Sequence, residues 1–162
     1  MDPFLIWLES TAFSTWMRES PSMFAFPAIL SCHTVGMGLV AGINTALALR
    51  ILGVASLVPI GEMKRFMPVM WFGFWLNFFS GIVLLIAYPT KALTNPVFYL
   101  KLTLVAAGVA LVPIIRDRIE TFPKGLAVAS LVCWAGAITA GRLLAYTYRH
   151  LMADMGYIAS LL

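Results

Sequence analysis

The stretch from Pro27 to Gly53, PAILSCHTVGMGLVAGINTALALRILG, is apolar nearly end to end and long enough to cross a bilayer as one helix. It carries a histidine, His33, about two turns inside its first end. An ionisable side chain at that depth is costly, so it marks where function is to be sought. Whatever this chain folds into must hide that run from water and give that imidazole a partner.

The remainder has the same character. The chain is 61% hydrophobic and only 11% charged, with a mean hydropathy of +0.91. That leaves too little polar surface to cover a water-soluble globule. The sequence therefore predicts a single all-α membrane domain: a four-transmembrane-helix, up-down bundle with spans at 27–52, 66–88, 96–115 and 125–148. Ahead of it, residues 4–17 place Phe4, Leu5, Leu8, Ala12 and Trp16 at helical spacing, with Glu9 and Ser10 opposite. This is the pattern of an amphipathic helix lying in the membrane interface. Residues 149–162 are expected to form an interfacial tail. The N-terminus lacks the early positive charge and continuous apolar core of a cleavable leader.

The net charge of +4 is spread over loops and helix ends. No basic run is dense enough for nucleic acid. Cys32 and Cys133 lie inside apolar segments without CxxC or His-rich neighbours, so neither a disulfide framework nor a zinc site is expected. The loops around Arg50, Lys64, Arg65, Arg116, Arg118 and Lys124 are richer in positive charge than the opposite side, which has Arg18, Lys91 and Arg149. That bias predicts the former in the cytoplasm and both termini outside. In a Gram-negative cell this means the inner membrane, with periplasmic termini.

Depth along a helix follows from its rise per residue. His33 lies roughly 9 Å inside the first span, Lys101 roughly 8 Å inside the third and Arg142 roughly 9 Å inside the fourth, all from the same side. Three helices thus bring potentially cationic groups to one level, with Tyr146 one turn above Arg142. The carboxylates Asp2, Glu9, Glu19, Glu62, Asp117, Glu120 and Asp154 all fall outside the predicted spans. The missing counter-charge points to a ligand: haem propionates, a quinone carbonyl or a lipid phosphate. His33, Lys101, Arg142 and Tyr146 are the expected cofactor-binding residues, with His33 the only candidate metal ligand at that depth. A bis-histidine haem would need His150, about 12 Å higher by helical rise, so haem b would need an unusual sixth position. No hydrolase pattern is present: there is no carboxylate pair, Ser-His-Asp register or HExxH.

The aromatic second span, with Trp71 and Trp75, and the small-residue faces also suit contact with lipid, other membrane subunits or a second copy. A second expectation is therefore an accessory subunit of a larger membrane complex, and a third, with Asn44 and Asn77 adding polarity inside the spans, is a small-anion transporter.

The order of landmarks resembles an uncharacterised bacterial family of small four-span membrane proteins. The resemblance rests on H-x-x-G-x-x-L-x-x-G in the first span (His33, Gly36, Leu39, Gly42), Arg50-Ile51-Leu52-Gly53 at its end, Gly81 in the second, and N-P-x-F-x-x-K opening the third (Asn95, Pro96, Phe98, Lys101). The architecture is also distantly similar to cytochrome b561 and copper-resistance membrane proteins. That likeness implies haem or quinone chemistry and a role in electron transport.

Overall fold

The structure, a computed structural model, describes residues 3–159 apart from 55 and 122, with side chains up to Thr147. Among the described residues every regular element is helical. Two short helices, α1 (Pro3–Glu9) and α2 (Ala12–Glu19), precede the long α3 (Phe26–Ile51). A short α4 (Ile60–Met63) leads through a 3-10 turn into α5 (Met67–Ala87). Then come the short α6 (Pro89–Leu93), α7 (Pro96–Asp117) and α8 (Lys124–Ala159). Four segments are long and apolar enough to cross a membrane: Phe26–Ile51, Ile60–Ala87, Pro96–Asp117 and Lys124–Thr147. The chain is an all-α, multi-pass membrane protein.

Local chemistry explains the helix ends. Pro27 and Pro96 sit in first turns, where a missing N–H costs nothing. Asn95 caps α7 by accepting from the Val97 N–H at 2.9 Å. Gly53, at φ 101°, ends α3 in a Schellman motif: Val54 N–H bonds the Leu49 carbonyl at 2.9 Å and Gly53 N–H bonds Arg50 at 3.2 Å. Arg50 then donates to the carbonyls of Ser56 and Val58 and holds the following loop against the helix end.

The N-terminal segment is two helices where one was expected over 4–17. Thr11 is the reason. Its hydroxyl accepts from Ser14 N–H and so starts α2 afresh, while Ser10 and Thr11 donate back to carbonyls of α1. At the other end the α8 backbone stays helical to Ala159, past the point where a tail was expected to begin.

The spans pack as neighbours in the order α5, α3, α8, α7; α5 and α7 scarcely touch. In lipid, association rests on close packing and hydrogen bonds rather than on hiding apolar area. The closest approach is between α3 and α5. A Cβ on Gly36 would lie 2.6 Å from Asn77 N and 2.7 Å from the Gly73 carbonyl oxygen. Gly108 of α7 likewise opens a seat for Trp134 of α8, whose indole would lie 2.9 Å from an added Cβ. Around this crossing, Val40, Ala41, Met70, Val112 and Trp134 form a core to which all four spans contribute.

One end carries the charged loops, where Lys64 meets Glu120 at 3.8 Å. The other carries the α1–α2 hairpin and α6. There Arg18 reaches the Ala87 carbonyl at 2.9 Å, the Glu9 carbonyl at 2.9 Å and the Ser14 hydroxyl, while Thr90 bonds the Glu9 carboxylate.

Candidate functional site: a polar layer inside the bundle

Two turns below the hairpin end, the ring of His33 enters a polar layer built by its neighbours. From α5 comes a set at helical spacing: Asn77, Ser80 and Gly81. Asn77 donates from Nδ2 to the His33 carbonyl at 2.8 Å and so ties α3 to α5. The Asn77 backbone carbonyl lies 3.1 Å from His33 Nδ1, and Ser80 Oγ lies 3.2 Å from it. Ser80 Oγ also sits 2.6 Å from the Leu76 carbonyl, to which it donates. Gly81 leaves room for the ring: an added Cβ would stand 3.2 Å from His33 Cε1. The helix is not kinked at Ser80-Gly81: α5 runs unbroken from Met67 to Ala87, and the glycine serves a close side-chain contact.

Lys101 enters from α7. Its Nζ lies 3.4 Å from His33 Nε2, and its stem passes over Gly141 of α8, where an added Cβ would sit 3.7 Å from Cε. All four spans therefore meet at this level. The network assigns the tautomer. Nδ1 carries the proton and donates to the Asn77 carbonyl, which leaves Nε2 as an acceptor facing the lysine. Lys101 spends one N–H on Nε2 and has further N–H groups to give. No carboxylate is paired with it among the described residues.

The direction of Lys101 is set at the start of its helix. Asn95 caps α7 through Oδ1 and reaches Thr147 of α8 through Nδ2 at 3.0 Å. The two bonds fix the rotation of α7 against α8.

Arg142 and Tyr146 are not brought to this pair. Gly141 faces the bundle, and the next residue on a helix is turned about 100° away. Arg142 is exposed on the outer surface of α8, and Tyr146, one turn on, is 60% exposed beside it. His150, the other histidine, has a side chain outside the described residues.

Sequence reasoning singled out His33, Lys101 and Arg142 as cation-forming groups at one depth, and the structure brings the first two together. It missed that Asn77, Ser80 and Gly81 form one face toward His33, although their spacing of three and four residues is a helix-face signature. Gly141 carried no such signal.

As a haem site the layer does not fit as it stands. Both ring nitrogens of His33 are engaged, one with α5 and one with the Lys101 amine. As a site for an electron-rich oxygen it fits better, because Lys101 brings N–H donors into the bundle interior beside His33.

Fold and site define a class: a multi-pass helical membrane protein with a histidine–lysine pair at a level where four spans meet. No model of a known protein family matches the chain, and neither does any curated protein or solved structure.

Proposed function

We propose that this is a redox-associated protein of the bacterial inner membrane that holds a quinone in the outer half of the bilayer. Lys101 binds its head group, and His33 positions the lysine. The observation that carries this reading is the 3.4 Å approach of Lys101 Nζ to His33 Nε2, with no carboxylate paired with either group among the described residues. A quinone carbonyl is an acceptor without net charge, so it takes an N–H donor and needs no second ion. His33 holds the amine in place through Nε2, and Asn77 and Ser80 hold the imidazole. The charge asymmetry of the loops supports periplasmic termini. Haem b is the weaker choice of cofactor, since Lys101 stands before the nitrogen that would ligate iron.

The test is direct. Protein purified from membranes is extracted with solvent, and quinone is measured by chromatography beside an absorption spectrum of the intact protein. Near-stoichiometric quinone is expected, falling to background in Lys101→Met while helical content is unchanged. A haem Soret band, or no quinone in the wild type, overturns the reading.

A second reading has one observation in its favour. Phe72, Trp75, Phe78 and Phe79 form an exposed aromatic face on α5, with Trp75 and Phe79 stacked at 5.8 Å. Such a face suits an accessory subunit seated against a larger membrane complex. A stoichiometric large partner after mild solubilisation would favour it.

A further inference from the structure

Resting on the quinone reading, we infer that the ligand of the His33–Lys101 pair is a tailed, lipid-soluble molecule that reaches it sideways, through the seam between α5 and α7. Its tail stays among the lipids.

The routes can be taken in turn. From the hairpin end the way is stopped by an apolar plug. Met17, Ala25 and Ala87 are buried there, with Phe26, Ile29, Val83 and Tyr88 packed around them. The short α6 bridges α5 and α7 at that end and buries Pro89 and Ala92. From the loop end the way is stopped by the core of Val40, Ala41, Met70, Val112 and Trp134. Between α3 and α5, the glycine contact and the Asn77–His33 bond leave no gap. Between α7 and α8, Trp134 fills Gly108, and an added Cβ on Gly136 would stand 3.0 Å from Leu104. The α3–α8 boundary is closed by Leu47, Ala48 and Ala127 toward the loop end and by the Trp134 core above them.

The α5–α7 boundary is different. These two spans scarcely touch, and each gives one side of the layer: Gly81 and Ser80 from α5, Lys101 from α7. His33 and Lys101 are each only half-buried. Lys101 reaches from α7 past Gly141 of α8 to His33 of α3, whose ring lies against Gly81 of α5, so its N–H groups lie at the inner end of that boundary, where a head group arriving from the lipid would stop. A free water-soluble anion has no comparable path.

Site-directed spin labelling reads the route without needing a ligand. Lys101→Cys, in a background with Cys32→Ser and Cys133→Ser, is labelled with a nitroxide in detergent and reconstituted into vesicles. Power saturation then compares oxygen, which concentrates in lipid, with a water-soluble nickel chelate. High oxygen and low nickel accessibility are expected. High nickel accessibility would mean an aqueous path, and low accessibility to both would mean a sealed interior; either overturns the inference. Binding is read separately, by titrating the wild type in nanodiscs with decyl-ubiquinone and with its tailless parent benzoquinone. The tailed compound is expected to bind tighter by roughly tenfold or more. Equal affinities overturn the tailed ligand. Binding of neither, with the saturation result as expected, removes the quinone reading and leaves the lateral route standing.

Discussion

The imidazole of His33 is oriented by backbone and side chains that do not belong to its own helix. A carbonyl of α5 selects the protonated nitrogen, and the other nitrogen meets a lysine from α7. Trp134 is the opposite case, a residue held by shape alone. It is 1% exposed, and its Nε1 has no hydrogen-bond partner among the described residues. An unsatisfied buried donor carries a desolvation penalty of about 1–3 kcal/mol. Trp134→Phe removes that donor along with some volume, so the two effects oppose. Its stability is expected to stay within about 1 kcal/mol of wild type, against a loss of about 3–5 kcal/mol for Trp134→Ala. Unfolding in mixed detergent, followed by circular dichroism, checks both. The two residues also differ in legibility. A titratable group in an apolar run stands out in any sequence, whereas the seat for Trp134 depends on a glycine in another helix.

Among the elements, the N-terminal hairpin is more than a surface appendage. Arg18 caps the C-terminal end of α5 in trans, where unpaired carbonyls and the helix dipole favour a cation. Meanwhile Phe4, Trp7, Phe13 and Trp16 stay exposed, an apolar face of the kind that settles at a membrane interface. Hydrogen bonds from a charged donor contribute about 1.5–3 kcal/mol. Arg18→Met is therefore expected to raise amide exchange in α1, α2 and α6 by roughly tenfold or more, with the spans little changed. Hydrogen–deuterium exchange by mass spectrometry reads this element by element. The amphipathic pattern of residues 4–17 was plain in the sequence. The break at Ser10-Thr11 was not weighed there, because one capping hydroxyl outcompetes a pattern that would otherwise run on.

For the molecule as a whole, the two loop regions richest in Lys and Arg share one end, joined across Lys64 and Glu120. Cytoplasmic placement of that end predicts a high alkaline-phosphatase signal from a C-terminal fusion and a low one from a fusion in the 118–123 loop. The reverse pattern would invert the molecule and put the polar layer in the inner leaflet. The number of spans and the common depth of His33 and Lys101 were legible in the sequence. Bilayer thickness and helical rise translate directly into residue counts. What only the tertiary structure decided is which side chains at that depth face one another. Depth is a coordinate along each helix, whereas facing depends on its rotation. That rotation is set by contacts between distant segments: Gly36 on Gly73, Asn95 on Thr147, Trp134 on Gly108. It turned Lys101 toward His33 and left Arg142, at the same level, on the outer face of α8.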